Sequence, residues 1–409
     1  MRRVVITGMG VIASTGKDTG SFFSALLSGQ SGIRRIAQFD PSALSVQIAA
    51  EIPAYTPTDY FPSKRLEMLD RFSQFALIAA GEAMQSSGLE VREDERTRFG
   101  VVVGSGMGGA QTLDQGYLNL YAKQATRLHP FTIPKVMHNA GASQICMEHG
   151  AQGPSLATST ACSSSGHAIG EAFHLIKFGL ADMMLAGGAD APITYGMLRS
   201  WESVRVLATG NGDPSRACRP FSADREGMVM GEGAAILLLE ELEHARRRGA
   251  AIRAEISGYG MTADAGHITQ PSVDGPTRAI RMALAEAGVN PAEVDYINAH
   301  GTGTRLNDST ETQVIKAVFQ QHARRVAISS TKSMHGHVMG ATGAVELAAT
   351  VMALERGVIP PTANYTGPDP ECDLDYVPNE ARERTLGIAI SNSFAFGGLN
   401  AVLLARRFE

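Results

Sequence analysis

Short runs of apolar, often β-branched residues recur along the chain and alternate with longer stretches of helical periodicity. The runs are apolar on both faces, as strands of a parallel sheet are when helices cover both sides. Strands are predicted at residues 4–7, 101–103, 183–186, 235–239, around 297, 326–329 and 388–391. Helices are predicted at 72–86, 166–178, 277–287, 310–319 and 343–355. This alternation predicts an α/β fold.

Two segments share a local pattern that indicates an internal repeat. STAC, residues 159–162, precedes small residues and then a helix, and STKS, residues 330–333, does the same. We therefore predict two similar halves. A join in the charged stretch 244–255 gives domains at residues 1–250 and 251–409.

Composition narrows the class of protein. Glycine makes up 44 of the 409 residues, above the usual share of about 7%, which predicts many close backbone approaches. The net charge of -5 argues against nucleic-acid binding through charge. No apolar run reaches the length of about 18–20 residues that spans a bilayer, so we expect no membrane segment. VVITGMGVIA, residues 4–13, is interpreted as a strand rather than a signal peptide.

The strongest chemical signal is TSTACSSSGHAIGEAF, residues 158–173. A strand or turn delivers Cys162 to the start of a helix whose first residues are small. Unpaired N–H groups and the helix dipole favour a thiolate there, so we expect a lowered pKa and a main-chain oxyanion donor. Cys146, Cys218 and Cys372 are interpreted as structural. The wide spacing of all four cysteines predicts neither disulfides nor a zinc site and favours the cytoplasm.

Two histidines lie at strand ends beside glycine. His300 is in YINAHGTGTRLND, and His337 is in STKSMHGHVMGATGAVE just before a helix. Glycine lets other groups approach each imidazole closely, and with Cys162 the pair favours a catalytic role over a structural one. His335 stays ambiguous. Three histidines without supporting context are interpreted as structural or exposed: His138, His149 and His322.

Two glycine-rich segments have other interpretations. GSGMGGA, residues 104–110, lacks the Lys-Ser/Thr end of a P-loop, so close packing or a pocket floor is favoured over nucleotide binding. In SNSFAFGGLNAVLL, residues 391–404, Phe394 and Phe396 precede a double glycine, which predicts a mobile or ligand-facing loop.

Four of these segments resemble the signatures of the β-ketoacyl-acyl carrier protein synthases, which are elongating condensing enzymes. They are TACSSSG around Cys162, NAHGTGT around His300, KSMHGH around Lys332 and His337, and NSFAFGG near the C-terminus. They occur in the family's order and spacing. The synthase II type and its relatives in polyketide and polyene pathways are the most similar.

The resemblance implies a thiolase-like α/β fold, with two similar halves on mixed five-stranded sheets in five α-β-α-β-α layers. It also implies that Cys162 takes the acyl group from acyl carrier protein as a thioester. His300 and His337 then stabilise the enolate formed as carbon dioxide leaves the malonyl group. The N–H groups of Cys162 and Phe396 form the oxyanion hole.

Supporting residues follow from the same resemblance. Lys332 holds a polar network with Glu346, and Asp308 is a further supporting residue. Substrate contacts are implied for five residues: Thr302 and Thr304 at the phosphopantetheine arm, Phe396 as a gate, and Phe394 and Met107. No metal and no separate cofactor are expected, since phosphopantetheine arrives on the carrier.

Several positions depart from the family pattern. Ala395 and Leu399 replace a glycine and a threonine beside the gate, and His335 stands where threonine is common. With Met107, the bulky residues Met197 and Trp201 leave the acyl chain length open.

The expected partner is an acidic acyl carrier protein. Basic side chains in and near SKRLEMLDR, residues 63–71, resemble its docking surface: Lys64, Arg65, Arg71 and Arg205.

A homodimer is expected, and a heterodimer with a chain-length partner stays open. Two other classes are less consistent with the sequence. The two histidine motifs disfavour a thiolase with a Cys/His/Cys set, and the retained Cys162, His300 and His337 disfavour a non-catalytic chain-length partner. Housekeeping and specialised pathways are not separated.

Overall fold

The structure is a computed structural model that describes residues 1–408. Its strands are β1 Val4–Ala13, β2 Arg34–Arg35, β3 Ile48–Ala49, β4 Phe99–Gly104, β5 Ser155–Thr158, β6 Met183–Asp190, β7 Gly233–Glu241, β8 Ala254–Ala263, β9 Tyr296–Asn298, β10 Ala327–Ser329, β11 Val358–Ile359, β12 Arg382–Glu383, β13 Ile388–Phe394 and β14 Leu399–Arg407.

The helices run between and across these strands. They are α1 Thr19–Leu27, α2 Ser63–Leu66, α3 Arg71–Ser87, α4 Ala110–Tyr117, α5 Thr132–Val136, α6 Ala140–His149, α7 Ser164–Lys177, α8 Tyr195–Val204, α9 Leu242–Arg247, α10 Asp274–Ala287, α11 Arg305–Phe319, α12 Lys332–His335 and α13 Thr342–Arg356.

The sheet order repeats in the two halves of the chain. The first half has the order β5-β4-β6-β7-β1, and the second has β10-β9-β13-β14-β8. In each half, the first three strands are parallel to one another, and the last two are joined to the sheet by antiparallel pairings. The prediction of two similar halves is therefore confirmed.

The halves are hydrogen-bonded to each other as well as packed together. β1 pairs antiparallel with β8 over three residue pairs, from Val4 opposite Ile256 to Ile6 opposite Ala254. The two five-stranded sheets thus join into one ten-stranded arrangement, a link that the sequence pattern did not indicate. α9 and a short connection lie between β7 and β8.

Helices cover the two sheets in layers. α3 and α6 pack on strands of the first half, and α10 packs on β8 and β14 with α11 beside it. α7 and α13 contact each other and strands of both halves, so they form the central layer. The chain therefore has the five-layered thiolase-like α/β fold that the resemblance implies.

Burial explains which strands the sequence revealed. Every residue of β1 and β4 is buried, which matches the continuous apolar runs. The edge strand β5 is partly exposed and carries no such run, so it was not predicted. β8 and β14 were missed as well, although they lie near the middle of the ten-stranded sheet. Within residues 1–408, no helix combines the length and the apolar character needed to cross a bilayer.

Candidate active site

Three side chains that lie far apart in the sequence meet in one cavity. The Cys162 sulfur and one ring nitrogen each of His300 and His337 all lie within 4.8 Å of one another. They come from the connections β5–α7, β9–α11 and β10–α13, which follow the carboxyl ends of parallel strands. The cavity has a volume of about 300 Å³. Its position at these strand ends is typical of ligand sites in α/β sheets.

A strained turn presents Cys162. Ala161 has a left-handed φ of 50°, which is uncommon for a residue with a side chain. The next residues form a short helical turn, Ala161–Ser163, that leads directly into α7. The sharp turn places the sulfur at the helix start, as the sequence predicted.

The lowered pKa that the sequence predicted for the Cys162 thiol is wrong. Burial raises the pKa of its thiol to about 11, because a thiolate loses hydration in this cavity. The charge of Lys332 and the main-chain N–H groups of Phe396 and Cys162 itself lower the pKa, and they offset only part of that effect. The resting thiol is therefore protonated near neutral pH.

The same N–H groups define an anion-binding position. The Phe396 and Cys162 N–H groups both lie near the sulfur, where they favour negative charge and so lower the pKa of the thiol. Two main-chain donors at a buried nucleophile have the composition of an oxyanion hole.

The tautomers of the two histidines follow from their partners. His337 Nδ1 accepts the Met339 N–H at 3.1 Å, so the ring proton lies on Nε2. His300 Nδ1 lies 3.4 Å from the Lys332 ammonium, which is a donor, so Nε2 carries the proton there too. The rings are 5.5 Å apart and nearly perpendicular. Within residues 1–408, His337 Nε2 is buried without a hydrogen-bond partner.

Both imidazoles are neutral. Burial lowers the pKa of His300 and of His337 well below the usual value, and the Lys332 charge lowers each further. Neutral rings donate hydrogen bonds without adding a second positive charge to the site. The two Nε2–H groups are therefore suited to stabilise an oxyanion.

A buried network fixes the His300 segment. Lys332 donates to the Glu346 carboxylate and to the His300 carbonyl. Burial raises the pKa of Glu346 to about 7 despite the opposing charge of Lys332. Glu311, which the sequence analysis missed, accepts the N–H groups of His300 at 2.8 Å and Gly301 at 2.7 Å.

The threonines of the GTGT loop form the cavity wall. Thr302 and Thr304 both line the cavity, and their hydroxyl oxygens are 2.9 Å apart. The buried Asp308 carboxylate accepts the Gly303 N–H at 3.2 Å. It also lies 3.6 Å from the buried Arg225 guanidinium. Asp308 thus anchors the loop.

Both predicted aromatic residues, Phe394 and Phe396, line the cavity. The Phe394 ring centroid is 6.0 Å from that of His300. Met107 is not among the lining residues, so a substrate contact for it stays a prediction. The ambiguous His335 is buried behind the site, where Nε2 meets the Thr331 hydroxyl at 2.9 Å. Burial lowers its pKa to about 3.

Asp190 was missed by the sequence analysis. Its buried carboxylate accepts N–H groups from Gly106, Met107 and Gly340 and the Ser105 hydroxyl. It ties the glycine-rich segment to the loop after His337, and burial raises its pKa to about 6. Its place at the end of β6 was the available signal, but the partners are distant in sequence.

The basic surface differs from the expectation. Arg71 makes two hydrogen bonds to the buried Glu232, and Arg65 pairs with Glu148 at 2.6 Å. These two arginines are therefore engaged within the chain, and Arg71 is mostly buried. Arg205 is exposed and lines the cavity, as does Arg305, which was not predicted. Neither makes an ion pair with residues 1–408.

The donor set favours nucleophilic and oxyanion chemistry. One sulfur faces two main-chain N–H groups and two imidazoles, so it can form a thioester and stabilise an anionic oxygen beside it. The same three side chains are the type that binds a soft divalent ion such as Zn²⁺. Such an ion would occupy the space that a substrate carbonyl needs.

Two family profiles match most of the chain. The profile described as "Beta-ketoacyl synthase, N-terminal domain" matches residues 1–245. The profile described as "Beta-ketoacyl synthase, C-terminal domain" matches residues 253–366.

Two curated relatives and one solved structure are similar over their full lengths. "Nodulation protein E" of Rhizobium meliloti (strain 1021) is 49% identical over 402 residues, 98% of each chain. "3-oxoacyl-[acyl-carrier-protein] synthase 2" of Staphylococcus aureus (strain COL) is 43% identical over 410 residues, 100% of this chain and 99% of the relative. "The ishigamide ketosynthase/chain length factor" has a TM-score of 0.93 and 36% identity, covering 100% of both chains.

Proposed function

The chain belongs to the beta-ketoacyl synthase family, and on that premise we propose that it condenses an acyl group with malonyl-acyl carrier protein. The products are 3-oxoacyl-acyl carrier protein, free carrier and carbon dioxide. The observation that carries the proposal is the meeting of Cys162 with two neutral imidazoles and two main-chain donors. We assign Cys162, His300, His337 and Lys332 as the catalytic set.

In the first half-reaction, the Cys162 sulfur attacks the thioester carbonyl of acyl carrier protein. The Cys162 and Phe396 N–H groups stabilise the tetrahedral oxyanion. The carrier's phosphopantetheine thiol leaves with the proton that Cys162 loses. Since the resting thiol has a pKa of about 11, deprotonation has to accompany attack. Both imidazoles present Nε2–H donors at the site and cannot accept this proton, so it passes to the phosphopantetheine sulfur as that group leaves.

In the second half-reaction, malonyl carrier replaces the first carrier. The bond between the carboxylate carbon and the α-carbon breaks, and its electron pair forms the enolate while carbon dioxide leaves. The Nε2–H groups of His300 and His337 donate to the enolate oxygen. Lys332 keeps His300 in the required tautomer through the 3.4 Å contact with Nδ1.

The enolate carbon then attacks the acyl-cysteine. A new carbon–carbon bond forms, the carbon–sulfur bond breaks, and the thiolate of Cys162 recovers a proton from water. Cysteine suits both steps because it is a strong nucleophile and a good leaving group.

The substrate arm enters along the threonine wall. Thr302 and Thr304 offer hydroxyl groups on the route to the sulfur, and Phe394 and Phe396 flank it. Phosphopantetheine comes with the carrier protein, and the proposed mechanism needs no metal. At the mouth, Arg205 and Arg305 offer unpaired positive charge to an acidic carrier. Among the basic side chains of segment 63–71, Lys64 is the one that is exposed.

A dimer is proposed from the free edge of the sheet. β5 ends the ten-stranded sheet and its first two residues are exposed, whereas the opposite edge strand, β10, is buried. The segment that leads to β5 carries many exposed large apolar residues: Tyr117, Leu118, Tyr121, Leu128, Phe131, Ile133, Met137, Met147 and Leu156. A second copy of this chain or a chain-length partner would cover them.

The two alternatives fit less well. A thiolase needs a second cysteine, but Cys146, Cys218 and Cys372 do not line the cavity. A non-catalytic chain-length partner needs no aligned donors at Cys162. Housekeeping and specialised substrates both fit the site. A cytoplasmic location is the expectation from four cysteines that all stay unpaired.

The test uses purified protein with acyl carrier proteins that carry acyl groups from butyryl to palmitoyl. We expect a thioester on Cys162 by mass spectrometry, then carbon dioxide and 3-oxoacyl carrier after malonyl carrier is added. Cys162→Ala should form no thioester. His300→Ala and His337→Ala should still be acylated, but their rate of carbon dioxide release should fall about 10²–10³-fold.

Two results would contradict the proposal. One is elongation by Cys162→Ala at the wild-type rate. The other is a wild-type protein that forms no acyl-enzyme with any chain, which would favour the chain-length partner. Cys146→Ala is the matched control, since its thiol lies outside the cavity, and it should behave as wild type.

A further inference from the structure

An aromatic stack forms part of the cavity wall. The Trp201 and Phe396 rings have centroids 5.9 Å apart and planes inclined by 29°. Both residues line the cavity that contains Cys162. The Phe396 main-chain N–H lies close enough to the Cys162 sulfur to lower the pKa of the thiol. One residue therefore connects a side-chain stack with an oxyanion donor.

The turn that carries Phe396 joins β13 to β14 and is held on both sides of that residue. Ala395 N donates to Leu399 O at 3.1 Å and Gly398 N to Ala395 O at 2.9 Å, while Gly397 N donates to Ile268 O at 2.7 Å and Asp264 N to Gly398 O at 2.9 Å. Gly397 and Gly398 have φ values of 83° and 69°, in the region that favours glycine. Within residues 1–408, Trp201 is the one aromatic ring stacked on Phe396. The ring contact therefore restrains Phe396 itself, between the hydrogen-bonded residues on either side of it.

Trp201 lies on a well-anchored element. Helix α8 begins at a cap where the Thr194 hydroxyl accepts the Met197 N–H at 3.2 Å. The carboxylate of Glu202, next to the tryptophan, accepts the Val46 N–H at 2.8 Å. Trp201 itself packs against a buried cluster that includes Leu198. Its indole is thus a fixed surface on which the Phe396 ring stacks.

We propose that Trp201 is a positioning residue that, by stacking on Phe396, holds the Phe396 N–H against the Cys162 sulfur. The inference rests on the proposed function, in which that sulfur becomes acylated. An acyl chain on Cys162 has to share a cavity of about 300 Å³ with both rings. Close packing then makes the chain displace the stack as it lengthens.

The first test reads the stack directly. Trp201 is the only tryptophan of the chain, so intrinsic emission under selective tryptophan excitation reports this one position. Loading Cys162 from octanoyl-acyl carrier protein should change the emission intensity or maximum. Cys162→Ala should give no change with the same carrier. Phe396→Leu should alter the resting emission and reduce the response.

The second test separates positioning from folding. Trp201→Ala should lower the rate of acyl transfer about tenfold while KM changes less than twofold, because the donor is displaced and not removed. Trp201→Phe should recover most of the rate, since a smaller ring still stacks. Tyr195→Ala is the matched control: it lies on the same helix and packs on Phe39 instead. It should act as wild type.

The outcomes discriminate between the two proposals. If no carrier acylates Cys162 by mass spectrometry, the proposed function fails and the inference fails with it. If acylation occurs with unchanged emission, or Trp201→Ala transfers acyl groups at the wild-type rate, the inference alone is overturned. Rates are normalised to the concentration of folded protein, measured by circular dichroism of the same sample, so a loss of folded protein does not imitate the effect.

Discussion

Two opposing effects act on the sulfur of Cys162. The helix start and the nearby ammonium favour a thiolate, while burial favours the thiol, and burial is the larger effect. A protonated thiol is a weaker nucleophile than a thiolate, so it reacts slowly with oxidants and unwanted acyl donors in the free protein. The anion then exists only when a substrate carbonyl is there to receive it.

The raised pKa predicts the pH dependence of alkylation. Below a pKa of about 11, the thiolate fraction rises roughly tenfold per pH unit, so iodoacetamide labelling of Cys162 should accelerate steadily from pH 6 to 9. Peptide mass spectrometry gives the rate at this cysteine alone. A plateau that begins near neutral pH would contradict the burial argument and restore the lowered pKa expected from the helix dipole.

The buried pair of Lys332 and Glu346 predicts a pH-dependent loss of stability. Both side chains are fully buried, so Lys332→Met leaves a carboxyl group without its cation and should cost about 3–5 kcal/mol where that group is ionised. Without Lys332, the raised pKa of Glu346, already about 7, rises further. A raised carboxyl pKa means that stability falls as pH rises, so the variant should be closer to wild type at pH 6 than at pH 8.

Denaturant unfolding at the two pH values measures this difference. The double variant Lys332→Met with Glu346→Leu should recover much of the stability and none of the condensing activity. Equal destabilisation of Lys332→Met at both pH values would show that Glu346 does not carry the uncompensated charge.

At the scale of elements, the central helices α7 and α13 bring the two halves of the site together. Their first turns meet at Gly166 and Gly343. A Cβ at Gly343 would lie 2.6 Å from the Ser393 hydroxyl and 3.1 Å from the Gly166 main-chain nitrogen. This close approach lets the start of α7, with Cys162 just before it, lie beside the loop after His337.

Gly343→Ala should therefore reduce both stability and acylation. Overpacking at fixed backbone is expected to cost about 1–3 kcal/mol, measured by denaturant unfolding. Gly81→Ala is the control, because a Cβ at Gly81 in α3 meets no atom within 4 Å. That change should instead stabilise the protein by about 0.5–1 kcal/mol through the unfolded chain. Similar effects at the two glycines would contradict the packing argument.

At the scale of the whole molecule, the two edges of the ten-stranded sheet differ. The β10 edge is covered by the chain itself, where the Ile328 N–H donates to the Asp375 carbonyl at 3.0 Å. The β5 edge is open, and Leu156 on it is 40% exposed. An open strand edge beside apolar surface favours pairing with another chain.

Leu156→Asp should therefore shift the protein from dimer to monomer. A carboxylate on the edge strand would be desolvated in the paired state, and analytical ultracentrifugation measures the resulting mass. Met282→Asp, an exposed apolar position on the outer helix α10, should leave the assembly unchanged. A wild-type protein that sediments as a monomer would contradict the proposed interface.

The sequence by itself determined the reactive side chains and the α/β fold of this protein. Runs that are apolar on both faces located seven strands of the large sheet, because a strand buried on both faces is apolar at successive positions. The four motifs predicted Cys162, His300 and His337, because nucleophiles and donors at strand ends need glycine and small residues beside them. The repeat of STAC and STKS predicted the two halves.

Only the tertiary structure decided how these groups are tuned and used. The pKa of Cys162 depends on burial by segments far along the chain, and the Asp190 and Glu311 carboxylates bind N–H groups remote in sequence. Arg71 matches a docking residue in the sequence but pairs with Glu232 inside the fold. The Trp201–Phe396 stack joins residues from opposite halves. Desolvation and pairing depend on neighbours in space, and a linear pattern does not contain them.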